Sequence, residues 1–182
     1  MKKRTTMLAL LLATGAGTCL QAQEKLTQFK VRDAITVRTP IMNDSINPKG
    51  EKYADKDLLK TPVVLDLADA PFQVLSTDTA GVLSFPKAEK DHSIYLLETS
   101  LRAERFMTGK LKVTSPARWE IFINGESKMS KENAEDSISG ASTREVNLRL
   151  EPEADYEITI KLLSGSKDKA VPTLKCELIK TE

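Results

Sequence analysis

Histidine is almost absent from this chain: its 182 residues hold one, His92. Without a second imidazole a zinc site would fall back on carboxylates, a ligand set that zinc rarely accepts alone. A Ser-His-Asp relay would need His92 as its base, and no serine sits in a G-x-S-x-G turn. His92 lies in Asp91-His92-Ser93, which reads as an exposed turn. Cysteine is nearly as scarce, with Cys19 and Cys176 only. The eight glycines are scattered one per turn, so no glycine-rich phosphate loop exists. Aromatics make up 5% of residues, with a single Trp, so the core must be mostly Leu, Ile and Val. The net charge of +1 offers no electrostatic reason to expect nucleic acid or an anionic membrane as partner. No repeat, coiled-coil heptad or useful amphipathic helix follows the first segment.

That segment, residues 1–22, has the three parts of a secretory signal. Lys2 to Arg4 are basic, Met7 to Ala13 are apolar, and Leu20-Gln21-Ala22 makes a cleavage site after Ala22. The apolar run is too short for a membrane span. Lipid attachment at Cys19 is the rival reading, although Ala16-Gly17-Thr18 departs from the usual lipobox. The expected location is outside the cytoplasm, periplasmic or secreted. Removal of the signal would leave Cys176 as the only cysteine, with no internal disulfide to form. Cys176 sits in an apolar alternation, as a small buried hydrophobe would.

The mature chain carries the two-residue period of strands. Its centre is Thr108 to Gly125, TGKLKVTSPARWEIFING. Leu111 and Val113 alternate with Lys110, Lys112 and Thr114. Ser115-Pro116 breaks the ladder. Trp119, Ile121 and Ile123 then share one face, and Phe122 takes the other. Asn124-Gly125 is the strongest short-range hairpin signal. Further strands are expected at Phe29 to Arg38, Pro62 to Leu67, Phe72 to Leu75, Gly81 to Phe85, Ser93 to Phe106, Arg144 to Leu150, Tyr156 to Leu162 and Leu174 to Leu178. A bend is expected within ETSLRAERF, and a short helical turn at KENAEDS. Eight to ten short strands with turn residues between them mean an all-β chain, an antiparallel, jelly-roll-like β-sandwich. The expected divisions are a signal peptide at 1–22, an N-terminal strand and extended arm at 23–60, and the sandwich at 61–182.

Few residues present themselves as chemistry. Asp55-Lys56-Asp57 lacks the further oxygen ligands of a calcium loop. Ser164-Gly165-Ser166-Lys167 matches S-x-x-K in letters, but in a strand-to-strand loop rather than a helix start. No catalytic residue, cofactor or metal is assigned. Trp119 has two readings. Its shared face with Ile121 and Ile123 is that of a core residue, and an exposed ring there would be a platform for a pyranose. Asp44-Ser45-Ile46, Asp78-Thr79-Ala80 and Asp136-Ser137-Ile138 each read Asp, Ser or Thr, then a small or apolar residue. They resemble an O-glycosylation acceptor of one phylum of Gram-negative bacteria, whose signals often end in Q-A-Q, as Gln21-Ala22-Gln23 does here. Ser45, Thr79 and Ser137 are therefore the expected glycan carriers.

Three stretches together resemble the N-terminal region of exported prolyl-oligopeptidase-family serine peptidases: TPIMNDSINPKGEKYADKDLLKT, LKVTSPARWEIFINGESK and EDSISGASTREVNLRLEPEADYEITIKLL. The resemblance implies a β-sandwich that precedes a propeller and a hydrolase domain, both absent from this sequence. It implies a non-catalytic accessory module or fragment whose partner is the catalytic domain of the same longer polypeptide. The core also resembles galactose-binding-like jelly rolls, which implies a stand-alone module with a glycan as partner. A structural or adhesion subunit, joining partners through a sheet edge, is the third reading.

Overall fold

The computed structural model describes residues 23–36, 59, 72–89, 92–137 and 139–181. The signal segment, the expected strand at Pro62 to Leu67, Ser45 and all of the arm except Leu59 lie outside these residues. Among those described, eleven strands form two antiparallel sheets.

The first sheet runs β1 (Gln23–Lys25), β11 (Thr173–Thr181), β6 (Met107–Thr114), β9 (Thr143–Leu150), and the short β4 (Val82–Ser84) also pairs with β11. The second runs β3 (Phe72–Ser76), β2 (Gln28–Thr36), β5 (His92–Arg102), β10 (Asp155–Gly165), β7 (Arg118–Ile123), β8 (Glu126–Lys131). The sequence alternation fixes which side chains face inward. Leu111 and Val113 of β6, Val146, Leu148 and Leu150 of β9, and Leu174, Cys176 and Leu178 of β11 supply one inner face. Trp119, Ile121 and Ile123 of β7, Ile158, Ile160 and Leu162 of β10, and Leu97 of β5 supply the other. They form one cluster, the expected β-sandwich core.

Asn124 and Gly125 adopt φ of 51° and 76°, the left-handed pair that a tight hairpin demands, and β8 returns antiparallel to β7. The chain bends at Glu104-Arg105 after β5, as expected. Helix is not seen at residues 131–137. In an α-helix the Glu135 amide would bond to the carbonyl of Lys131; here it donates across to Pro116 O at 2.7 Å. No helix among the described residues is long and apolar enough to cross a membrane.

Candidate functional site

The outer face of the second sheet changes character along its length. Strand register lines up Val74, Lys30, Glu98, Thr159, Phe122 and Ser127 in one row across all six strands. Residues in one cross-strand row point to the same side, and this side is opposite the core. Toward the Arg102 end of β5, Ser100 and Glu157 form the next pair on that face. Toward the other end, Leu96 pairs with Lys161, and Ile94 with Leu163.

These last four residues are buried. Ile94 and Leu163 are 0% exposed, and Lys161 is only 4% exposed. Leu59, at 0%, lies over this half, and its carbonyl oxygen accepts a hydrogen bond from Lys161 Nζ. Burial pushes the Lys161 ammonium below its usual value, opposed by Glu120 beside it. Alternation with Ile160 and Leu162 in the sequence would put Lys161 on an open surface, and the cover that includes Leu59 is what buries it.

The other half is open and polar. Lys30, Ser100 and Glu157 are exposed, and Glu98, Thr159 and Phe122 are half-buried. Ser127 Oγ donates to Glu120 Oε1 at 2.7 Å. One aromatic ring therefore stands in this row beside the Thr159 and Ser127 hydroxyls, with Glu98, Lys30 and the exposed Val74 farther along it. Ring faces bind C–H groups, and the surrounding groups donate to and accept from hydroxyls. The signal for Phe122 was its position, out of phase with its core neighbours. Beside this half a cleft of about 720 Å³ opens between β2 and β5, lined in part by Lys30, Glu98, Ser100 and Glu157.

The residues singled out in the sequence lie apart from each other. Trp119 is 0% exposed in the core. A ring without an open face has nothing to offer a pyranose, so the platform reading of Trp119 is set aside in favour of packing. Its Nε1 has no hydrogen-bond partner among the described residues. Thr79 is exposed in a turn organised by Asp78, whose Oδ1 accepts from the amides of Ala80 (2.9 Å) and Val82 (2.8 Å). Ser137 is also exposed, and its Oγ accepts from the Gly140 amide at 3.2 Å.

His92 opens β5 and is half-buried, rather than sitting in an open turn. It pairs in register with Gly165. The Asp168 carboxylate nearby accepts from Arg118 Nη1 at 2.9 Å and from the Gly165 amide at 2.7 Å, which closes the loop where S-x-x-K letters occur. Ser164 is buried, with its Oγ accepting from the Ala88 amide at 3.5 Å. No group of three or more His, Cys, Asp or Glu able to hold a metal occurs among the described residues.

No known protein-family model matches this chain, and no curated protein matches it in sequence. Among solved structures it is similar to the β-glucosidase from Kluyveromyces marxianus in complex with glucose, at 10% identity and a TM-score of 0.47. That likeness covers 86% of this chain and 16% of the other. The PA14 sugar-binding domain from an RTX adhesin is similar at 18% identity and a TM-score of 0.37, over 50% of this chain and 47% of that one. A family 35 carbohydrate binding module from Clostridium thermocellum is similar at 10% identity and a TM-score of 0.36, over 53% of this chain and 86% of the module. Likenesses this distant do not transfer a ligand or an activity from one chain to another.

Proposed function

We propose that this chain is an exported, non-catalytic binding module whose ligand is a glycan laid on the open half of the second sheet. The observation that carries the reading is the row Lys30, Glu98, Thr159, Phe122, Ser127, which puts one half-buried ring between two hydroxyl side chains on the open half of the face. Calorimetric titration with a glycan panel tests it. At least one glycan should bind saturably, and Phe122→Ala and Glu157→Gln should each weaken it about tenfold or more, a change of ~1.4 kcal/mol. No heat from any glycan, or unchanged affinity in both variants, would overturn it.

The peptidase-module reading rests on sequence stretches alone. The second and third of them contribute to β6, β7, β8, β9 and β10. Alternation of that kind builds any antiparallel sandwich, so it does not single out a peptidase partner. The glycan carriers Ser45, Thr79 and Ser137 remain a proposal as well. Intact mass of the exported protein should exceed that of the bare mature chain, and equality would dismiss them.

A further inference from the structure

We propose that the cleft between β2 and β5 takes one end of a neutral oligosaccharide, three sugars or longer, whose other end lies on the Phe122 ring. The proposal rests on the glycan reading above and gives it a charge class and a minimum length. β2 and β5 pair from Thr36 and Ser93 down to Lys30 and Glu98, and there they separate. β2 stays with β3 through Phe29 and Gln28, and β5 stays with β10 through Thr99 to Arg102. Among the described residues no strand pairs with the other side of Thr99–Arg102. Alternate residues of an antiparallel strand turn N–H and C=O to opposite sides, so part of this main chain faces the cleft. Water serves such groups until the hydroxyls of a ligand replace it.

The lining decides the class of ligand. Its leucines, Leu26, Leu101, Leu150 and Leu178, are buried in the core and leave no seat for an apolar side chain. Arg102 is already paired with Glu153 at 2.6 Å and with Asp155 at 3.4 Å. Lys30 stands in register with Glu98, and Lys25 Nζ is turned to Thr79 O at 3.3 Å. Lys180 and Glu157 bring one charge of each sign. No surplus is left to select an ion. What the cleft presents is Thr27, Gln28, Thr99 and Ser100 beside the open edge of β5. These groups both donate and accept, as sugar hydroxyls do. A volume of about 720 Å³ is in the range of small-ligand sites.

Length follows from the register. Phe122, Thr159, Glu98 and Lys30 sit on successive strands of the row. At ~4.8 Å per strand, the ring is roughly 10 Å from Glu98 and roughly 14 Å from Lys30, where the cleft begins. A monosaccharide cannot touch both places, and a trisaccharide can.

The test is calorimetry with cello-, xylo-, manno-, malto- and laminari-oligosaccharides of one to six sugars, and with oligogalacturonates as the charged class. The tightest binder should be neutral, and its affinity should rise at least tenfold from monosaccharide to trisaccharide. Ser100→Trp, which fills the cleft from an exposed position, should remove that gain, whereas Phe122→Ala should weaken every length. Amide hydrogen exchange of the unaltered protein is the second readout. Exchange within Thr99–Arg102 should slow with the trisaccharide and not with the monosaccharide. If Phe122→Ala weakens binding but Ser100→Trp and the exchange of Thr99–Arg102 show no effect, the cleft proposal falls and the glycan reading stands. A galacturonate as the tightest binder, or equal affinity at all lengths, overturns the cleft proposal as well. Absence of binding by every glycan, or binding untouched by Phe122→Ala, overturns both.

Discussion

Removing the Glu135 carboxylate should cost this protein more stability than removing the Lys131 ammonium it faces. Lys131 ends β8 with its side chain 3% exposed. Its Nζ donates to Ser115 O at 2.5 Å and to Glu135 Oε2 at 2.7 Å. Burial pushes this ammonium below its usual value, and Glu135 only partly restores it. The same Glu135 oxygen accepts from the Ser142 amide at 2.9 Å. Glu135→Ala therefore strands a charge with one neutral acceptor and leaves an amide unsatisfied. Breaking a fully buried pair from one side costs about 3–5 kcal/mol, and with Glu135 itself 27% exposed the expected loss is ~2–3 kcal/mol. Lys131→Met keeps the volume, removes the charge, orphans one carbonyl and leaves the partly exposed Glu135 carboxylate to the Ser142 amide and solvent, for about 1 kcal/mol. The double variant should resemble Lys131→Met, since the stranded charge is gone, which gives a coupling energy of about 2–3 kcal/mol in magnitude. Urea unfolding of the four proteins at neutral pH, with unchanged slopes, measures this. Lys131→Met proving the more damaging, or the two losses simply adding, would refute the reasoning.

A Cβ built on Gly109 would lie 2.7 Å from the backbone oxygen of Ile179, so Gly109→Ala should force β6 from β11 at a cost of about 1–3 kcal/mol, read by urea unfolding; a neutral result would mean that the two strands slide freely. Burial alone would raise the Glu135 carboxyl, but hydrogen bonds from Lys131 and Ser142 hold it below the usual carboxylate value. Its folded value thus lies below its unfolded one, so its contribution is complete above about pH 4.5 and is lost as pH falls through the folded value; the acid drop in melting temperature should shrink in Glu135→Ala. Cys176 is 1% exposed, and burial, then Glu177, pushes its thiol up; iodoacetamide at mildly alkaline pH should leave the native protein unlabelled and modify it fully in urea. Trp119→Ala should cost about 3–5 kcal/mol in unfolding measurements, because the ring is wholly buried.

The strands that could be read from the sequence are those with one buried face. Leu111 and Val113, Trp119 to Ile123, and Val146 to Leu150 keep a period of two because slipping by one residue would exchange core for solvent. The Asn124-Gly125 turn was legible because few residue pairs tolerate its dihedral angles. Two kinds of feature were not. β1 is three residues long, too short to show any period. Pairing order was hidden as well. β2 lies between β3 and β5, a choice made by contacts between distant parts of the chain.

The site lay beyond the sequence for the same reason, with one instructive exception on β10. Its row draws Lys30, Glu98, Thr159 and Phe122 from four strands, so no single stretch of sequence holds it. Yet β10 records the boundary between the two halves of the face. Glu157 is exposed and Thr159 half-buried, and from Ile160 to Gly165 every residue is buried. A strand covered on one face alternates, and a strand covered on both reads as a continuous buried run. The change from one pattern to the other therefore falls between Thr159 and Lys161. Lys161 is the residue that makes the change hard to see, since a lysine in an alternating strand reads as solvent-facing. Its side chain is instead buried, and its ammonium donates a hydrogen bond to the Leu59 carbonyl. A lysine with its head bonded to main chain can close a buried face that its stem helps to fill. Polarity in the sequence marks an open surface only where nothing supplies the hydrogen bonds that water would otherwise make.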